Sequence, residues 1–282
     1  MNGEVISADS RQVYKGMDIG TGKDYADYLM EGERIPCHLI DIAEPGTEYN
    51  IFRYQQDFLP VYQSITARGK LPILCGGSGM YLEAVIKGYQ LTEAGGDPGF
   101  LKSLEDKTFD ELTRILQSYK ALHNKTDIED RHRLIRAIEI EREAITEKTK
   151  PSFPRIPSLV FGISFPRGLL KKRITERLTS RIENGMVQEI VGLLNRGIEP
   201  ERLMRYGLEY KFGTQYVTGS IPYDTFFYAL NQAIHQFSKR QMTWFRRMER
   251  QGIKIVWIDG RWTIEQKMAF VREHFSAEHA DK

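Results

Sequence analysis

Short apolar runs at residues 4–8, 38–42, 71–75, 158–165 and 254–258 alternate with stretches of helical period, and this alternation restricts the chain to a largely parallel sheet covered by helices. The first run is the most informative of them. Glu4-Val-Ile-Ser-Ala-Asp-Ser-Arg-Gln-Val-Tyr14 delivers Asp9, then a polar segment, to the carboxyl end of a strand. Open α/β sheets bind ligands at that end, so Asp9 is a candidate general base. The run at 71–75 passes directly into Gly76-Gly77-Ser78-Gly79 and a helix from Met80 to about residue 87. Those glycines permit a tight turn at the same edge, which places Ser78 near Asp9.

With 41% hydrophobic and 28% charged residues the chain is globular, not disordered. It has no apolar run of the ~18 residues that a membrane span requires, and its first residues lack signal-peptide order. A soluble, cytoplasmic protein is expected. Cys37 and Cys75 follow no metal-ligand spacing and are expected to be small buried thiols.

The net charge of +2 conceals local basic clusters. Arg167, Lys171, Lys172, Arg173, Arg177 and Arg181 stand against Glu176 alone, and Lys239, Arg240, Arg246, Arg247 and Arg250 against Glu249. Such patches suit a polyanionic partner. A helix over 223–248 puts Phe226, Leu230, Ile234 and Phe237 on an expected core face and Lys239, Thr243, Arg246 and Arg250 on another. Trp244 among these cations suits base stacking, or equally a buried Trp at a solvated helix end. Residues 97–149 are set off by glycine and proline and are helical and charged. They divide the chain into an α/β core of 1–96 and 150–282 and a helical insertion, either a lid or a charge-rich surface helix. Within the insertion, Thr108-Phe-Asp-Glu111 has capping-box spacing, and Leu134, Ile135, Ile138 and Ile145 recur near helical period.

Taken together, these segments resemble the tRNA dimethylallyltransferase (tRNA isopentenyltransferase) family. The resemblance rests on Ile6-Ser-Ala-Asp-Ser-Arg-Gln-Val-Tyr-Lys-Gly-Met-Asp-Ile-Gly-Thr21, His38-Leu-Ile-Asp-Ile42 and Gly76-Gly-Ser-Gly-Met-Tyr81. It continues in His132-Arg-Leu-Ile-Arg-Ala-Ile-Glu139, the Arg173 and Arg177 pair, and Lys239-Arg-Gln-Met-Thr-Trp-Phe-Arg246. It implies transfer of a dimethylallyl group from dimethylallyl diphosphate to N6 of the adenosine 3′ of the anticodon in tRNA, assisted by Mg²⁺, by a monomer.

By the same resemblance Asp9 is the base, Arg177 meets the diphosphate and Ser78 offers a hydroxyl near the reacting amine. The implied tRNA contacts are Asp9, Ser10, Arg11, Gln12, His132, Arg133, Leu134, Ile135, Arg136, Arg205, Lys211, Lys239, Arg240, Gln241, Thr243, Trp244 and Arg246, with Leu101 or Lys102 standing where relatives often carry Arg. The family's Gly-Tyr-Arg reads Glu209-Tyr-Lys211 here. The implied fold is P-loop-NTPase-like, a parallel sheet flanked by helices with a helical insertion. Its Gly-x-x-x-x-Gly-Lys-[Ser/Thr] pattern does not occur in residues 1–282. The family's first strand, P-loop and first helix are therefore expected to be absent, leaving apolar strand edges and a groove in the sheet. Two other readings compete: a tRNA-binding chain without catalysis, and an adenylate isopentenyltransferase.

Overall fold

The computed structural model describes residues 2–92, 97–120, 128, 130–146 and 152–280. In chain order the elements are β1 (Gly3–Ser7), β2 (Leu29–Met30), β3 (Glu33–Arg34), β4 (Cys37–His38), α1 (Ile51–Ala67), β5 (Leu71–Cys75) and α2 (Gly79–Lys87). Then follow α3 (Pro98–Glu105), α4 (Phe109–Tyr119), α5 (Arg131–Thr146), β6 (Val160–Ser164), α6 (Arg167–Glu183) and α7 (Met186–Asn195). The last elements are α8 (Pro200–Leu203), α9 (Leu208–Val217), α10 (Tyr223–Arg250), β7 (Ile255–Asp259) and α11 (Ile264–Ala280). The chain forms two compact units, one of residues 1–87 and 156–282, the other of 88–155. The smaller unit is wider at both ends than the 97–149 expected from punctuation.

In the larger unit, β1 lies between β4 and β5, parallel to both, in register from Gly3 opposite Leu71 to Ser7 opposite Cys75. A separate parallel pair joins β6 to β7, Val160 opposite Ile255 through Ser164 opposite Asp259. β2 and β3 form a short antiparallel hairpin. Among the described residues the outer edges of β5 and β6 carry no strand partner, and Ile73 and Ile163 on these strands are 42% and 57% exposed.

Local chemistry explains several boundaries. Asn50 caps α1 by accepting from the Arg53 amide at 3.0 Å, which satisfies an otherwise orphaned N–H. Strand β4 stops at His38, short of the expected residue 42, because Leu39 and Asp41 take left-handed φ values of 60° and 56° that a strand cannot accommodate. Cys75 is exposed and Cys37 half-buried, against the expectation of two buried thiols. β5 is an edge strand, so the side chain at its end lacks cover.

Packing against the sheet begins with Tyr54 of α1, which stacks on Tyr81 of α2 at 4.2 Å and donates to the Ser7 carbonyl at 3.0 Å. The residues that follow β1, Val13, Tyr14 and Met17, are fully or almost fully buried against Ile190, Leu193, Leu203, Tyr206 and Tyr210 of the carboxyl-terminal helices. Phe226, Leu230 and Ile234 of α10 pack with Ile174 and Leu178 of α6. Phe237, expected on the same face, is 43% exposed, with the Arg240 guanidinium 5.7 Å from its ring.

The smaller unit closes its own core with Leu104, Leu112, Leu116, Leu134 and Ile138, with Ile135 packed beside them. The Ile145 side chain lies outside the described residues. Thr108 and Glu111 make the expected capping box at the start of α4. Arg131 donates to the carbonyls of Leu104, Glu105 and Lys107, satisfying the open end of α3.

Candidate active site

The loops after β1 and β5 are laced together. Ala8 donates its amide to the Cys75 carbonyl at 2.7 Å, Ser78 donates its own to Ala8 at 3.2 Å, and the Ser10 amide reaches the Ser78 hydroxyl at 3.1 Å. A side chain at Gly76 would overlap the Ala8 carbonyl, so the close approach requires glycine. Asp9 turns its Oδ1 onto the Arg11 amide at 2.8 Å, an Asx turn that fixes the carboxylate at the carboxyl edge of the sheet. Ser10, the neighbour of Asp9, thus bonds Ser78 directly, and the two strand ends lie side by side. Gln12 accepts from the Ser7 hydroxyl at 2.9 Å and donates to the Gly22 carbonyl at 2.9 Å, so both ends of its amide brace the loop.

Beyond Gln12 the chain lines a cleft of about 340 Å³ that includes Asp18, Lys23, Asp24, Tyr25, Arg177 and Arg181. Lys23 is fully buried, donating to the Tyr14 carbonyl and to Asp18, each at 2.7 Å, and pairing with Asp41. Burial of an ammonium demands such partners. Burial and the bond to Asp41 push the Tyr25 hydroxyl above its ordinary range. Glu189 of α7 accepts from three successive amides, Asp18 and Ile19 at 2.7 Å and Gly20 at 3.0 Å, and from the Tyr210 hydroxyl at 2.7 Å.

Arg177 opens into this cleft and makes no hydrogen bond or ion pair with any described residue. Desolvation there, then the nearby Arg181 charge, lower its pKa. The charges of Asp9, Arg177 and Arg181 all act on Glu209 of α9, which places base candidate and cationic cleft in one neighbourhood. The sequence reading named Arg181 only within a basic cluster and Glu209 only as a departure from a motif. Lys23 and Glu189 had no role there; Glu189 takes its amide partners from some 170 positions away, and Lys23 is anchored by Tyr14, Asp18 and Asp41.

The other implied tRNA contacts divide by exposure. Lys239, Arg240, Thr243 and Arg246 are exposed on α10, as are Arg205 and Lys211 before and within α9. Gln241 donates to the Gly77 carbonyl at 2.9 Å and so supports the turn that carries Ser78. Trp244 departs from the base-stacking expectation. It packs on Gly79, where a side chain would overlap its indole, and the Arg247 guanidinium covers its ring at 4.0 Å. Arg247 is held there by fully buried Glu83 at 2.6 Å. In the smaller unit His132 and Arg133 are exposed, Arg133 beside Asp130 at 3.3 Å, and Arg136 is half-buried. Leu134 is a core residue instead of a surface contact: its full burial stabilises the unit by about 1.5–3 kcal/mol.

A parallel sheet with a carboxylate and a hydroxyl at its carboxyl edge, and an unpaired guanidinium in a cleft of the same unit, suits an α/β protein that handles phosphates, and a profile of the IPP transferase family matches residues 12–248. The chain belongs to that family. It is 52% identical over 274 residues, 97% of its length, to tRNA dimethylallyltransferase 2 of Bacteroides fragilis, covering 90% of that protein. To tRNA dimethylallyltransferase 1 of Parabacteroides distasonis it is 53% identical over 267 residues, 94% of this chain and 87% of the relative. Among solved structures, the full-length tRNA isopentenylpyrophosphate transferase of Bacillus halodurans aligns with TM-score 0.70 at 28% identity, over 99% of this chain and 89% of that one.

Proposed function

We propose that this chain is a tRNA dimethylallyltransferase, moving a dimethylallyl group from dimethylallyl diphosphate to N6 of the adenosine 3′-adjacent to the anticodon. The observation that carries the reading is Asp9 fixed at the strand end by the Arg11 amide, its neighbour Ser10 bonded to Ser78, with Arg177, unpaired among the described residues, in a cleft of the same unit. The adenine N6 lone pair is delocalised into the ring, so attack on the prenyl C1 needs a base. As the new N–C bond forms, the C–O bond to diphosphate breaks and its electron pair leaves with the phosphate oxygen. The N6 proton passes to the Asp9 carboxylate, and Arg177 meets the charge that develops on the leaving group. One carboxylate and one hydroxyl suit a Mg²⁺ carried mainly by diphosphate oxygens and water, which would neutralise the same charge.

We read the β4-β1-β5 sheet and the β6-β7 pair as parts of one P-loop-like sheet. Among the described residues no strand joins these two groups. The exposed cations Lys239, Arg240, Arg246, Arg205 and Lys211 of the larger unit would hold the phosphates of an anticodon arm whose target base is extruded into the cleft. Taken by itself, the smaller unit offers His132 and Arg133 as exposed basic groups for the same class of ligand. Thr243, Gln241 and Arg136 complete the α10 and α5 surfaces. No helix among the described residues is long and apolar enough to cross a membrane. The proposed setting is the cytoplasm, with the protein acting as a monomer.

The test is single-turnover prenyl transfer to an anticodon stem-loop and, separately, to AMP. Asp9→Ala should slow transfer by about 10²–10⁴-fold while anticodon-arm affinity stays within a few fold. Unchanged turnover would remove Asp9 from the mechanism, and preference for AMP would move the chain to the adenylate isopentenyltransferases.

A further inference from the structure

Arg177 and Arg181 stand one turn apart on α6 and face the same cleft. Two guanidinium groups so placed repel each other. Arg181 is only 13% exposed, and its Nη1 lies 3.7 Å from Oε1 of Glu209, itself 20% exposed. Its guanidinium lies across Gly22, where a side chain would overlap it, and Gly22 holds a φ of +67° that favours glycine. The Gly22 carbonyl is in turn held by Gln12, so the Arg181 seat is continuous with the loop that carries Asp9. Burial raises the Glu209 pKa while both arginines pull it back.

We propose that Arg181 and Glu209 are a charge-setting pair which determines how strongly Arg177 binds the diphosphate, both acting as positioning residues through Arg177. This rests on the reading of Arg177 as the group that meets the leaving diphosphate. The cleft also carries Asp18, Lys23 and Asp24, with Lys23 bonded to Asp18, and the Arg181–Glu209 pair adds one charge of each sign beside Arg177. Glu209 draws Arg181 away from the opening, which leaves Arg177, with no partner among the described residues, as the group an anion reaches. An arriving diphosphate relieves the Arg177–Arg181 repulsion, and its departure restores it. The pair would thereby keep the anion site strong enough to accept the leaving group and weak enough to release it.

The two partners carry opposite charge, so their removal has opposite signs. The measurement is calorimetric binding of inorganic pyrophosphate to the 282-residue chain, with no turnover required. Arg181→Met should weaken binding roughly tenfold and Glu209→Gln should tighten it by several fold, each estimated from charges acting through a partly solvated site. Arg181→Lys should restore most of the loss, and the double variant should lie between the singles. Both single variants weakening binding would show a structural brace and overturn the inference. Loss of binding in Arg177→Ala, with no change in Arg181→Met or Glu209→Gln, would overturn it while leaving the Arg177 reading intact. Unchanged binding in Arg177→Ala, or no binding by the unaltered chain, would overturn both. Should Arg181→Met fail to fold, the sign of the nearly isosteric Glu209→Gln change decides.

Discussion

At the scale of single residues, the larger unit holds its first strand through a carboxylate with an unusual surplus of partners. Glu4 is buried and bonds Lys70 at 2.7 Å, His38 at 2.7 Å and Arg68 at 2.6 Å. The Lys70 bond, the His38 bond and the Arg68 charge outweigh burial and hold its pKa at about 2, below the ordinary 4.5. The folded state therefore binds the Glu4 proton less readily than the unfolded chain. Its stabilising contribution is complete above 4.5 and lost as pH falls toward about 2. Glu4→Gln should lower the urea midpoint at pH 7, with the gap from the unaltered protein closing across that acid window; a gap independent of pH would make the effect one of packing.

The same scale shows what a sequence can reveal. Asp9 and Ser78 were legible because each sits where a strand ends and the chain turns, a signal contained in a few neighbouring residues. Lys23, Glu189, Arg181 and Glu209 were not, since each acquires its role from a partner outside its own local motif: Glu189 meets the Asp18 amide across 171 positions. Trp244 shows where local sequence leaves two readings open. Its aromatic and basic neighbours suit a nucleic acid, yet Gly79 and Arg247 already use its surface.

At the scale of elements, α10 separates two tasks by helical side. Its first half buries Phe226, Leu230 and Ile234, while farther along Lys239, Arg240, Thr243 and Arg246 stay exposed. Lys239→Ala with Arg246→Ala should weaken anticodon-arm binding and reduce the slope of log affinity against log salt by about 2, one for each phosphate contact removed. An unaltered slope would mean that this helix does not face the RNA backbone. Helical period located α10 well, but Phe237 leaves the core because periodicity assigns a side and not how far the opposing helix extends. Strand β5 matched its apolar run over 71–75, whereas β4 was overread, since the left-handed turns at Leu39 and Asp41 have no hydrophobic signature.

At the scale of the whole molecule, the parallel strands described form two groups, whose β5 and β6 outer edges are unpaired among the described residues and carry the exposed Ile73 and Ile163. Such edges template pairing with other chains. Ile163→Lys should reduce concentration-dependent light scattering of the 282-residue chain without lowering its thermal midpoint by more than a few degrees. Equal scattering would locate the adhesive surface elsewhere.

The Glu189 clamp also orders events in time. Residues 18–20 leave the ribosome early, but the carboxylate that gathers their amides is translated some 170 positions later. A nascent chain can pair β1 with β5 and still have no finished cleft, because the wall opposite Arg177 has nothing to hold it. The cleft is therefore finished late in synthesis, and a chain interrupted before α7 would carry Asp9 at its strand end with the neighbouring wall unclamped.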